Sequence, residues 1–263
     1  MPRIGEEHAA RRREAGHGAD FLEALARGLA VLQAFGPERR QMTLAEVARA
    51  VDLPRATVRR ALHTLVVLGH VESDGRLFRL TPRVLRLAAG YLGASGVSTV
   101  LQPLCERLAA EAGGPCSAAV LDGAEIVFVA YGRPRLMLNV STMVGSRLPA
   151  FCTALGRVLL AHLPEAESAA ALRPFPVTPR TETDPARLQD LVAAARAEGH
   201  ALVEQEAELG FRSLAVPLPR QDGRVVAALN IGMPMEGETG EAFRARWLPR
   251  LLQEAAEASP LLL

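Results

Sequence analysis

Lysine is absent from this 263-residue sequence, so its 30 basic Lys/Arg positions are all arginine. Aromatic residues are only 4%, which makes any core aliphatic. The cysteines are three, Cys105, Cys116 and Cys152, an odd number in a chain of this size. They form no disulfide framework by spacing, and no C-x-x-C or H-E-x-x-H string suggests a metal centre. A reducing, cytoplasmic setting is the plain expectation. No Gly-rich phosphate loop is present, and neither a cofactor nor a catalytic set is expected. No apolar run reaches the roughly 20 residues that cross a bilayer. The stretch around Arg11, Arg12 and Arg13 is polar and lacks the apolar centre of a signal peptide. No membrane partner is therefore expected.

What is present is the composition of a folded chain, with 49% hydrophobic and 22% charged residues and enough length for two domains. The net charge of +1 is unevenly spread. Residues 1–97 carry 15 arginines against 10 acids, a net +5, whereas residues 98–263 carry 15 against 19, a net −4. A basic first third on an acidic remainder points to a polyanion bound at one end only.

Residues 1–20 read as a disordered basic arm. Leu22, Leu25, Leu29, Leu32 and Phe35 recur at three- and four-residue steps, which predicts a helix over Phe21–Phe35, stopped by Gly36-Pro37. Thr43-Leu44-Ala45-Glu46 spells a capping box and starts a short helix. Pro54 fits the first turn of the next helix, which runs to about Leu68 with Val58, Ala61, Leu62 and Leu65 facing inward. Strands at Val71–Ser73 and Arg76–Leu80 flank Asp74-Gly75, a two-residue hairpin signal. Helix, helix, turn, helix and hairpin in this order make a winged helix-turn-helix over 21–81. Pro82 opens a linker helix over 82–96. The rest, 97–263, alternates. Helices are predicted at Val97–Ala112, Thr153–Leu163, Pro185–Glu198 and Glu241–Ala258, with a loop over Leu172–Thr183. Strands are predicted at Ser117–Leu121, Glu125–Tyr131, Arg135–Thr142, Leu202–Glu204, Arg212–Pro217 and Val225–Gly232. The class is α+β: a winged helix-turn-helix, a linker helix, and a mixed sheet flanked by helices.

A recognition helix needs an apolar inner face and short or forked polar side chains outside, near its N-terminus. Residues 54–65 supply both. Arg55, Arg59 and Arg60 can fork onto guanine or phosphate; Thr57, His63 and Thr64 can bond phosphates or bases; Ala56 projects from the same side. Thr43, which caps the preceding helix, is a further candidate DNA contact. Arg76 and Arg79, on the wing's second strand, are expected to point to one side, toward phosphate or the minor groove. From Arg55 to Arg86 seven arginines meet only Glu72 and Asp74, a local +5. Double-stranded operator DNA is the expected partner. The bland alternative is a solvated basic face on a protein-binding winged helix.

At Thr43–Ala88, TLAEVARAVDLPRATVRRALHTLVVLGHVESDGRLFRLTPRVLRLA resembles the DNA-binding domain of the IclR family of bacterial regulators. It is most like the branch that answers to protocatechuate and 4-hydroxybenzoate and controls aromatic catabolism. GSRLPAFCTALGRVLLA (Gly145–Ala161), EQEAELGFRSLAVPL (Glu204–Leu218) and VVAALNIG (Val225–Gly232) agree with it, so the resemblance covers nearly the whole chain from about Phe21. It implies dimers or tetramers, a GAF-like C-terminal domain that binds a small carboxylic, aromatic acid, and activation as well as repression, with RNA polymerase as a further partner. Motif by motif it implies effector-binding roles for Met143 on an aromatic ring, for Gly145 and Ser146 as backbone donors, and for Glu204, Ser213 and Asn230. Three of these have a plainer reading: Gly145 as a turn residue, Ser213 as a satisfied strand hydroxyl, Glu204 as part of an exposed acidic stretch with Glu206 and Glu208. Arg133 and Arg147 are tempting carboxylate clamps. An enzyme built on Cys152 and His162 is the second class. Ten residues of helix would separate the two by roughly 15 Å, beyond proton-transfer reach. A protein-interaction module is the third, and it would not need the outward arginines.

Overall fold

A computed structural model describes residues 20–36, 38–94, 97–134 and 142–262. The chain divides into two compact units, residues 1–90 and 91–263. The arm expected over 1–20 lies outside the described residues except for Asp20, and so do Gly96 and all of the Arg135–Thr142 strand candidate but Thr142.

The first unit holds α1 (Glu23–Gln33), β1 (Met42–Thr43), α2 (Leu44–Ala50), α3 (Arg55–Val67), β2 (Val71–Ser73) and β3 (Leu77–Leu80), then a 3₁₀ turn at Pro82–Val84 and the start of α4 (Leu85–Ala94). Its core is Val31, Phe35, Met42, Val47, Ala48, Val58, Leu62 and Val71. The three- and four-step pattern marks the buried face only toward the end of α1. Leu32 and Phe35 pack in the core beside Val31, whereas Leu22, Leu25 and Leu29 are exposed. The capping box forms as spelled: Glu46 N–H donates to Thr43 Oγ1 and Thr43 N–H donates to Glu46 Oε2. Asp52, at φ +48°, makes the bend between α2 and α3, a conformation Asp tolerates better than most side chains. Pro54 stands one residue before α3, as its N-cap, not in its first turn.

The three strands pair antiparallel in the order β1-β3-β2. The hairpin loop is Asp74-Gly75-Arg76, one residue longer than expected. Asp74 Oδ1 accepts from the N–H groups of Arg76 (2.9 Å) and Leu77 (2.8 Å), and Gly75 takes φ +97°. Arg76 therefore belongs to the turn. It does not share a strand face with Arg79, which a three-residue spacing would forbid in any case.

The second unit contains α5 (Val97–Ala112), β4 (Cys116–Asp122), β5 (Glu125–Gly132), β6 (Arg147–Pro149), α6 (Ala154–Ala161), α7 (Glu165–Ala171), α8 (Pro185–Glu198), β7 (Ala201–Glu204), β8 (Phe211–Pro219), β9 (Val225–Pro234) and α9 (Gly240–Ala258). Its six strands run in the order β6-β5-β4-β9-β8-β7. The described pairings are all antiparallel, where a mixed sheet was expected. Strand alternation feeds two cores. Leu214, Val216 and Leu229 meet α5 and α9 through Leu101, Leu108, Phe243 and Leu251. Ala215, Ala228 and Phe128 meet α6 and α8 through Leu155, Val158 and Val192. Gly156 lies inside α6 because a Cβ there would come within 2.1 Å of the Ala150 carbonyl oxygen.

One irregularity places the site. Ala118 pairs with Ala130 but Ala119 pairs with Phe128, so Val129 is an extra residue in β5. Such a bulge breaks strict alternation. It puts Tyr131 on the same face as Phe128, three residues away.

Candidate DNA interface and ligand cavity

The buried Val58 and Leu62 seat α3 on the first unit's core. Opposite them Arg55, Ala56, Arg59, Arg60, His63 and Thr64 are exposed, with Thr57 half-buried. Arg55, Arg59 and Arg60 have no ion-pair partner among the described residues, so their forks are available to phosphate oxygens or base edges. The positive end of α3 adds to their field. Other candidates are already engaged. The Thr43 hydroxyl donates to Glu46 Oε2 at 2.8 Å, and the Thr43 N–H bond holds the Glu46 carboxyl below its ordinary range. The Thr64 hydroxyl donates back to the Arg60 carbonyl at 3.0 Å. Arg79 is paired across the hairpin with Glu72 at 2.6 Å. Arg76 stands exposed on the loop, free of ion pairs among the described residues.

In the second unit a cavity of about 550 Å³ lies on the sheet face toward α6, within the size range of small-molecule sites. Its floor is polar. Across neighbouring strands Tyr131 is in register with Ser117, and Ser117 with Asn230. Ser117 N–H (3.1 Å) and Oγ (2.5 Å) donate to Asn230 Oδ1, and Asn230 Nδ2 donates to Ser213 Oγ at 2.6 Å. Ser213, an acceptor in that bond, keeps its own proton to give. Ile126, Phe128, Leu148 and Leu155 supply apolar walls, and the loop from Gln205 to Gly210 lines one side. Cys152, Thr153, Ala154 and Leu155 bring the start of α6 to the cavity. Helix starts leave unsatisfied N–H groups that favour anions. Among the described lining residues none is basic, whereas Glu206 and Glu208 are acidic.

Of the six effector candidates, the cavity takes in Ser213 and Asn230. Glu204 lies on the other face of β7, since Val203 is the residue that lines the cavity, and Glu204 meets Arg212 at 3.1 Å. Gly145 and Ser146 do not offer free amides. The Gly145 N–H donates to the Phe128 carbonyl at 2.8 Å and the Ser146 N–H to the Met143 carbonyl at 2.9 Å, closing a turn in which Gly145 has φ +88°. Met143 is half exposed and outside the lining. Arg147 is held by Asp122 and Glu125, both at 2.7 Å. The sequence reading missed Ser117 and Tyr131, and it missed the buried pair of Arg157 with Glu206 at 2.7 Å. Only Arg157, a lone charge inside the apolar string of α6, gave a sign in the sequence.

Two family models match the chain, the IclR helix-turn-helix domain over residues 24–75 and the bacterial transcriptional regulator IclR C-terminal domain over residues 89–259. The chain belongs to the IclR family of bacterial transcriptional regulators. It is similar to the Pca regulon regulatory protein of Pseudomonas putida, at 39% identity over 89% of this chain and 81% of that protein. It is also similar to the p-hydroxybenzoate hydroxylase transcriptional activator of Acinetobacter baylyi, at 36% identity over 80% and 81%. An IclR homologue from Microbacterium hydrocarbonoxydans, solved in complex with 4-hydroxybenzoate, superposes with a TM-score of 0.74 at 28% identity, covering 90% of this chain and 98% of that one. This IclR-family chain is thus a DNA-binding transcriptional regulator with the two-domain α+β architecture of the family. Among the described residues no single helix is long and apolar enough to cross a membrane.

Cys152 beside the cavity would be the obvious nucleophile of an enzyme. Burial pushes its thiol up to about 11, and His162 is bonded to the Val158 carbonyl at 2.8 Å. At pH 8 about one thiol in a thousand would be ionised. Iodoacetamide at that pH should therefore leave the native protein's three buried cysteines largely unlabelled, and unfolding should release all three. Rapid labelling of Cys152 in the folded protein would contradict this.

Proposed function

We propose that this IclR-family regulator responds to a small aromatic carboxylic acid bound in the second unit, and through it controls genes of aromatic catabolism. The observation that carries the reading is the cavity's pattern: apolar walls for a ring, a floor of Ser117, Asn230 and Ser213, and the start of α6 for a carboxylate. The 4-hydroxybenzoate bound by the Microbacterium homologue and the regulatory roles in the names of the Pseudomonas and Acinetobacter relatives support it. Ser213 and Asn230 are the proposed contacts kept from the sequence reading. Arg55, Arg59 and Arg60, with Thr57, His63 and Arg76, are the proposed DNA contacts. The protein works in the cytoplasm without catalysing a reaction. It acts as a dimer or tetramer, which the exposed Leu22, Leu25 and Leu29 stripe on α1 supports, and it meets RNA polymerase when it activates. The acid acts by binding two states of the protein unequally, with residues 82–96 as the connection.

Isothermal titration of the full-length protein with 4-hydroxybenzoate and with protocatechuate tests the ligand class. Saturable binding of one acid per chain, abolished or sharply weakened by Ser213→Val, is expected. Absence of heat with either acid at millimolar concentration would discard the aromatic-acid reading.

A further inference from the structure

Tyr131 is a cavity residue whose side-chain polar atom is left unsatisfied among the described residues. Tyr131 lines the cavity, and its ring stands edge-on to Phe128, with centroids 6.3 Å apart. Its hydroxyl is buried and, among the described residues, has no hydrogen-bond partner. A buried hydroxyl without a partner costs free energy that a ligand oxygen can return. The bulge at Val129 turns the side chain this way, since strict alternation from Phe128 would have sent Ala130 to the cavity. Burial also raises the phenol above its ordinary value, which keeps it a neutral donor.

The backbone of the same residue is held by α5. Gln102 clamps it from both sides: Tyr131 N–H donates to Gln102 Oε1 and Gln102 Nε2 donates to the Tyr131 carbonyl, each at 3.0 Å. The next residue, Gly132, sits so close to α5 that a Cβ would lie 2.1 Å from the Cys105 carbonyl oxygen. At this point β5 and α5 are in backbone contact, so a shift of one must move the other. In the chain α5 is the helix of the second unit that follows α4, which begins in the DNA-binding unit.

We propose that Tyr131 is the specificity-determining donor to an oxygen of the bound acid, and that Gln102 couples its position to α5. The inference rests on the aromatic-acid reading above. It assigns binding to the Tyr131 side chain and transmission to its backbone, so the two can be separated by substitution.

The test uses full-length protein, calorimetry with 4-hydroxybenzoate, and operator binding with and without the acid. Tyr131→Phe should fold normally and bind the acid about tenfold more weakly, as expected for a lost hydrogen bond to a charged or polar ligand oxygen. Gln102→Leu should bind the acid within about threefold of the parent yet lose most of the acid's effect on operator affinity. Gln102→Glu, which keeps the acceptor and loses the donor, should lie between the two. A purely packing role for Gln102 would lower the melting temperature and leave the coupling ratio untouched. Unchanged acid affinity in Tyr131→Phe would overturn the contact, and full coupling in Gln102→Leu would overturn the transmission. Failure of the parent protein to bind the acid would instead remove the reading on which both rest.

Discussion

Replacing Arg59 and Arg60 together by alanine should weaken operator binding by about 2–6 kcal/mol, roughly 30-fold at the least. Both side chains are exposed and free of ion pairs among the described residues, and the buried Val58 and Leu62 hold α3 in place without them. The melting temperature should therefore hardly move. The single variants separate the roles. A residue that reads a base relaxes selectivity at one position of the operator. A residue on phosphate weakens all duplexes alike and reduces the dependence of log affinity on log salt by about one unit. Arg173→Ala, exposed in the second unit, is the control and should leave DNA affinity unchanged. Full operator affinity in the double variant would mean that α3 is not the recognition helix.

Arg157→Ala should destabilise the second unit by about 3–5 kcal/mol, which for a domain of this size lowers the melting temperature by roughly 10 °C. Arg157 is 3% exposed. Its Nε donates to the Phe151 carbonyl at 3.0 Å and its guanidinium meets Glu206 Oε2 at 2.7 Å. That carboxylate also accepts the Glu182 N–H at 3.1 Å, while the hydroxyls of Thr178 and Thr181 donate to the carbonyls of Gln205 (2.6 Å) and Glu206 (2.7 Å). One arginine thus ties α6 to the cavity-lining loop and to the proline-rich segment beside it. Without it a charge is left buried and unpaired, which costs more than the pair itself was worth. Arg157→Lys should recover only part of the loss, because an ammonium cannot reproduce the planar fork. Differential scanning fluorimetry is sufficient, and a drop below about 3 °C in Arg157→Ala would contradict the role.

The sequence was legible where local chemistry agreed with tertiary placement. α8 is bounded by an Asp184 cap, Pro185 at its first position and Gly199 in the left-handed conformation, all readable as letters. The Thr43–Glu46 box and α3 were legible for the same reason. Elements whose existence depends on partners far along the chain were not. β1 and β6, two and three residues long, exist only because β3 and β5 offer edges to pair with. α7 is an alanine-rich helix of about two turns with no apolar period to betray it. The candidate cavity was half legible. Motif resemblance points to Ser213 and Asn230, but it carries no strand face for Glu204, and period two sends that residue away from the cavity. Tyr131 was invisible because a bulge is a property of pairing, not of composition.

Fluorescence anisotropy of the full-length protein shows whether the DNA-binding head answers to an aromatic acid in the second unit. The DNA is the segment upstream of its own gene, titrated at several salt concentrations with and without 4-hydroxybenzoate and protocatechuate. The expected result is selective, salt-sensitive binding whose affinity changes at least about fivefold when one of the acids is added. Selective binding that neither acid alters, although one of them demonstrably binds the protein, would contradict it.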